Sequence, residues 1–133
     1  MSTIIDKIAW IHIENGQVLC ARSIGKDTYY LPGGKREAGE TDEETLAREI
    51  EEEISVQIKA DTVSYFGAFE AEAHGKAEGV TVKMTCYIAD FEGTLTPASE
   101  IEELSWLSYS DRNRVSVVTQ HIFDSLHEKK LLS

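Results

Sequence analysis

Three glutamates define the chemistry open to this chain. Glu49, Glu52 and Glu53 are spaced i, i+3 and i+4. On a helix, where each residue advances ~100°, that spacing gathers them into an arc of roughly 100° facing a common point. The same geometry turns Glu44 and Glu51 to the opposite flank, into solvent, and sets an apolar stripe of Leu46, Ala47, Ile50 and Ile54 between the two groups of acids. Like charges at i and i+4 repel on an exposed helix, and a bound divalent cation reverses that penalty. Oxygen-only ligands without histidine suit Mg2+, or alternatively Mn2+. A Glu-rich helix with nothing around it is more often a solvated face, so the neighbouring residues decide.

The formal net charge is −11 over 133 residues. The segment from Glu40 to Glu53 supplies eight acids against one base, Arg48. Such a chain is a poor partner for nucleic-acid polymer, which needs clustered Lys and Arg to displace counterions. No apolar run approaches the roughly 18 residues of a membrane span, and the N-terminus lacks a secretory pattern, so a soluble cytoplasmic protein is expected. Cys20 and Cys86 lie in apolar segments without CxxC spacing or a neighbouring histidine, which predicts two reduced, buried thiols. At this length, with 41% hydrophobic residues, a single domain over 1–133 is expected.

The elements that must position the acids can be read in turn. Ile4–Ile13 predicts a strand, Glu14-Asn15-Gly16 a turn, and Gln17–Arg22 the partner strand of a hairpin. Tyr29-Tyr30-Leu31 reads as a short strand running into Pro32-Gly33-Gly34, where proline ends a ladder and two glycines permit unusual backbone angles. Thr41 and Glu44 form a capping-box pattern, so the acidic helix should start there. Strands are predicted over Thr62–Glu72 and Val80–Phe91, separated by Gly75–Gly79, with a shorter one over Leu104–Leu107 around Trp106. A last helix should follow a cap region at Asp111 and carry Val115, Val118, Ile122 and Leu126, with Lys129 and Lys130 complementing its negative end.

Gly34, Glu40, Arg48-Glu49-Ile50, Glu52-Glu53 and Val56, preceded by Leu31-Pro32-Gly33, resemble the signature of the Nudix hydrolases: a glycine, five residues, Glu, seven residues, Arg-Glu-apolar-any-Glu-Glu, any residue, Gly and an apolar residue. One position departs from it. Ser55 stands where the signature has glycine, and because a non-Gly residue pays roughly 1 to 2 kcal/mol in the left-handed conformation, the helix is expected to stop differently. The detailed resemblance covers Leu31–Val56.

The resemblance implies an α+β Nudix fold, a mixed β-sheet sandwiched between α-helices, and cleavage of a diphosphate linkage in a nucleoside di- or triphosphate or a related derivative. It implies metal ligation by Glu49, Glu52, Glu53 and the backbone carbonyl of Gly33. Catalytic roles would fall to Glu53, Glu52 and Glu100, with Arg48 orienting a glutamate; Glu102 and Glu103 compete with Glu100 for the distal position. Glu40 would support the loop and helix start. Arg22, Lys35 and Gly34 would meet substrate phosphates. Tyr29, Tyr30, Phe69, Tyr87, His12 and His74 receive no such role, because strand aromatics are usually core and neither histidine has a partner pattern. A monomer or a homodimer is compatible with the family. The contrasting readings are a Nudix-like module that binds a nucleotide without turnover, and an acidic protein whose helix holds Ca2+ structurally; the latter lacks an EF-hand loop.

Overall fold

The computed structural model describes residues 3–73 and 79–133. Its organising strand is β1 (Thr3–Ile11). Successive side chains of a strand point to opposite faces. In β1 both faces are apolar at the C-terminal half: Ile8, Trp10, Ala9 and Ile11 are all buried. Ile8 and Trp10 pack with Leu46, Ile50 and Ile54 of α1 (Asp42–Ile54). Ala9 and Ile11 join Cys20, Met84 and Cys86 against Ile122, Phe123 and Leu126 of α2 (Val117–Glu128). One strand thus serves two cores, and the sheet lies between two helices, as the sequence implied.

The main sheet has the order β4-β1-β7-β6, where β4 is Gly33–Lys35, β6 Ser64–Glu72 and β7 Val80–Ile88. It is mixed. β1 runs parallel to β7 from Thr3↔Val80 to Ile11↔Ile88 and antiparallel to β4, while β6 and β7 pair antiparallel. A second sheet holds β2 (Ile13–Glu14), β3 (Gln17–Ser23) and β9 (Ile101–Leu107), and a short ladder joins β5 (Gln57–Ile58) to β8 (Phe91–Glu92).

Several boundaries differ from those predicted. The first hairpin is confined to Ile13↔Val18 and Glu14↔Gln17, around Asn15 (φ 53°) and Gly16 (φ 76°). β1 leaves that pairing at His12 because a strand apolar on both faces is best buried as the centre of a sandwiched sheet. Tyr29 and Tyr30 make only isolated bridges, to Val115 and Ala21. The last helix starts later than expected, with Ser116 as its N-cap. Asp111 closes a 3-10 turn over Tyr109–Arg114 instead, accepting the Ser108 amide at 2.9 Å. On α1 the core stripe is Thr45, Leu46, Ile50 and Ile54, with Ala47 only half-buried. Cys20 and Cys86 are buried and unpaired with each other, and burial raises the pKa of both thiols, that of Cys86 to about 12. Most of the predicted Gly75–Gly79 connection, like His74, lies outside the described residues. No helix among the described residues is long and apolar enough to cross a membrane.

Candidate active site

The acidic helix starts where its sequence says it should. Thr41 Oγ1 accepts the Glu44 amide at 3.2 Å, and the Glu44 carboxylate accepts the Thr41 amide at 2.9 Å, satisfying two otherwise orphaned donors. Immediately before it, Glu40 ties helix and loop together. Its carboxylate takes Arg48 Nε at 2.7 Å and Nη2 at 2.9 Å, a two-pronged charged contact, as well as the Thr45 hydroxyl at 3.0 Å and the Glu37 amide at 2.9 Å. The Arg48 bonds lead in holding the Glu40 carboxyl down to about 2. Arg48 spends its remaining donors on Glu49 Oε1 at 2.9 Å and the Lys35 carbonyl at 3.0 Å. A single guanidinium therefore links the loop, the helix and one of the candidate ligands.

Behind this knot, β4 runs along the edge of β1. Gly33 has φ +149°, and a Cβ there would strike the Ile8 carbonyl. A Cβ at Gly34 would strike the Glu49 carboxylate. The double glycine thus lets backbone approach both a neighbouring strand and the acids of α1. The Gly33 amide donates to Glu53 Oε1 at 3.1 Å. Glu53 is 8% exposed, a carboxylate in a nearly dry position. Burial pushes its carboxyl up to about 7; the Gly33 amide opposes that, while Glu49 and Glu100 add like charge. Glu49 is also shifted upward, first by burial, with Arg48 pulling it back.

Glu100 reaches this place through the C-terminal end of α1. The last carbonyls of a helix lack internal partners. Those of Glu53 and Ile54 accept the Ala98 and Thr96 amides at 2.9 Å each, pinning the loop before β9 to the helix. That loop delivers Glu100 to a cleft lined by Glu49, Glu53, Gly33, Gly34, Lys35 and Lys26. The helix ends as a glycine would end it. Ser55 adopts φ 67°, ψ 24°, with its amide on the Glu51 carbonyl at 3.0 Å, so the expected change of helix stop does not occur.

The structure therefore brings together Gly33, Gly34, Lys35, Glu49, Glu53 and Glu100, with Arg48 behind them. It does not bring in Glu52, whose side chain is 55% exposed and lies 3.6 Å from Arg48 Nη1. Nor does Arg22 line the cleft: it bonds Glu102 at 2.7 Å and the Lys26 carbonyl at 2.9 Å, and its guanidinium lies 5.8 Å from the Tyr29 ring centroid. Glu103 accepts from the Tyr29 hydroxyl. Glu102 and Glu103 are thus both engaged away from Glu53, leaving Glu100 as the distal acid at the cleft. Among the described residues no three acidic, histidine or cysteine side chains are already gathered at coordinating range. Beside the cleft, a cavity of about 230 Å³ lies between β1, β7 and the start of α2, lined mainly by Ile5, Leu31, Val82, Met84, Val117 and Val118. Sequence reading missed Lys7 and Tyr30, which border both hollows. For Lys7 the available signal was the period-two alternation of β1, which sends it to the opposite face from Ile8.

A double glycine on an edge strand, a capped acidic helix behind it and a carboxylate-lined cleft between the layers of an α/β/α sandwich define a Nudix-fold protein. The sequence profile of the NUDIX domain matches residues 7–122, and the chain belongs to that family. It is similar to an RNA pyrophosphohydrolase from Acinetobacter baylyi, with 30% identity over 112 residues, covering 72% of this chain and 68% of the relative. A MutT-like protein from Streptomyces ambofaciens is 30% identical over 95 residues, covering 71% of this chain and 57% of the relative, so the match spans little more than half of that protein. Among solved structures, the mutator MutT protein of Bacillus halodurans superimposes with a TM-score of 0.70 at 25% identity, over 90% of this chain and 79% of that one. Members of the family generally use divalent metal ions.

Proposed function

We propose that this chain is a Mg2+-dependent pyrophosphohydrolase acting on a nucleoside di- or triphosphate or a related nucleotide derivative, by attack of water on phosphorus. The observation that carries the reading is Glu53, a nearly buried carboxylate at the edge of an open polar cleft, hydrogen-bonded to the Gly33 amide and flanked by Glu49 and Glu100. Three acids facing one hollow in a chain of net charge −11 call for a cation, and hard oxygen donors suit Mg2+, with Mn2+ as a substitute. Glu49, Glu53 and the Gly33 carbonyl would hold it, and Glu52 would join them only by turning from Arg48 toward the cleft. When bound, the cation neutralises phosphoryl charge and lowers the pKa of water.

The chain's own groups supply the rest. Glu53 and Glu100 are the two carboxylates at the cleft suited to take the proton of the attacking water, Glu53 through whichever oxygen it does not commit to the cation. Arg48 fixes Glu49 so that its carboxylate does not have to be ordered during the reaction. Lys35 and the Gly34 backbone face the cleft where substrate phosphates would lie. The adjoining apolar cavity offers a place for the nucleoside. Two buried, unpaired thiols and an acidic surface fit a protein that works on free nucleotides in the cytoplasm.

The test is turnover of a panel of nucleotides, sugar nucleotides and dinucleotides with Mg2+, followed by phosphate release after addition of a phosphatase or pyrophosphatase. Glu53→Gln should lower kcat by about 10²-fold or more, the usual loss for a general base. Absence of turnover by the wild type across the panel would make the chain a binding module instead.

A further inference from the structure

The register of β3 on β9 slips at one point. Arg22 pairs with Glu103 and Ser23 with Ile101, which leaves Glu102 as the extra residue of a bulge. Such an insertion bends its strand and re-aims neighbouring side chains, and the residue just before Ile101 is Glu100, the distal acid of the cleft. The bulge is fastened from β3. Arg22 Nη1 donates to Glu102 Oε2 at 2.7 Å and to the Lys26 carbonyl at 2.9 Å, and the Ile24 amide donates to the Glu100 carbonyl at 2.8 Å. Ser23, Gly25, Lys26, Asp27 and Thr28 form one wall of the cleft, so a single guanidinium nitrogen ties that wall to the bulge beside Glu100. An ion pair this open to solvent contributes little to stability. Its effect on geometry is larger. Glu100 is exposed, so its place is set by the backbone that carries it, and a displacement of about 1 Å in a reacting group can cost about 10²-fold in rate. Resting on the function proposed above, we infer that Arg22 is a positioning residue: through Glu102 and the Lys26 carbonyl it fixes where the Glu100 carboxylate stands relative to Glu53, without itself touching substrate.

Arg22→Gln and Glu102→Gln break the same contact from its two sides and test this in the full chain. Exchange of the Ile24 amide, read by NMR without substrate, should quicken at least about threefold in both variants, because its bond to the Glu100 carbonyl opens more often. With Mg2+ and a nucleotide that the wild type hydrolyses, both should lower kcat by about tenfold with KM within about twofold, and neither should lower it further in a Glu100→Gln background. A raised KM for Arg22→Gln with Glu102→Gln unaffected would make Arg22 a direct phosphate contact and overturn the assignment. Unchanged exchange of the Ile24 amide in both variants, or kcat losses that multiply with that of Glu100→Gln, would overturn it as well. If the wild type hydrolyses nothing, or Glu100→Gln turns over normally, quicker exchange in both variants leaves Arg22 as the support of Glu100 and overturns the catalytic reading instead.

Discussion

Glu53 links stability to pH in a direction opposite to that of most surface carboxylates. Its folded pKa, about 7, lies above the ordinary 4.5 because burial disfavours the anion. In metal-free protein its contribution to stability is therefore fully present below about pH 4.5 and is lost as pH rises through 7. A shift of that size corresponds to roughly 3 kcal/mol at most. In a chelating buffer Glu53→Gln should melt several degrees above the wild type at pH 8, with the difference vanishing near pH 4.5. A wild type more stable than the variant at pH 8 would show that the carboxylate is ionised at little cost. Added Mg2+ should raise the wild-type melting temperature at pH 8 by more than it raises that of the variant. The convergence of Glu49 and Glu53 was legible from i, i+4 spacing. The drift of Glu52 to the exposed side, beside Arg48, was not, because an arc of ~100° is wide enough for one edge to face the cleft and the other solvent.

At the scale of the element, the loop and α1 behave as one unit through Glu40 and Arg48. Arg48→Lys keeps the charge but loses the planar two-pronged contact, and should cost about 10- to 100-fold in activity through misplacement of Glu49. Glu40→Gln should cost a similar factor, and the double variant should be little worse than either single, as expected for partners in one contact. Full multiplication of the two losses would separate their roles. At the other end of α1, Ser55 holds a left-handed conformation that disfavours a side chain. Ser55→Gly should stabilise the protein by about 0.5–1 kcal/mol, the relief of strain less the greater freedom of glycine in the unfolded chain, with activity unchanged; denaturant unfolding reads this directly. The capping box was fully legible, since Thr41 and Glu44 interact locally. The helix stop was misjudged because two tertiary contacts, from Thr96 and Ala98 to its terminal carbonyls, help hold a geometry that local preference disfavours. The same contacts bring Glu100 to the cleft, a placement that spacing along the chain could suggest but not fix.

At the scale of the whole molecule, the charge of −11 is concentrated on and around one helix and should make the protein sensitive to screening. Raising monovalent salt from about 10 mM to about 0.5 M in a chelating buffer should increase the melting temperature by relieving self-repulsion. A decrease would mean that exposed ion pairs such as Arg36 with Asp6 and Asp42 outweigh it. The α/β/α arrangement was legible because β1 is apolar on both faces and α1 and α2 on one each. The assignment of β1 to the four-stranded sheet rather than the first hairpin was not, since its main partner is far away in sequence. Thr3 pairs with Val80 and Ile11 with Ile88, so each rung joins residues seventy-seven positions apart. During synthesis the acidic helix and its double-glycine loop emerge well before β7, and until β7 arrives the two apolar faces of β1 have no completed sheet to occupy. Non-local pairing of this kind slows folding and prolongs exposure of apolar surface. The nascent chain can cap its acidic helix early, but it cannot build the strand framework behind that helix until more than half of its sequence has been made.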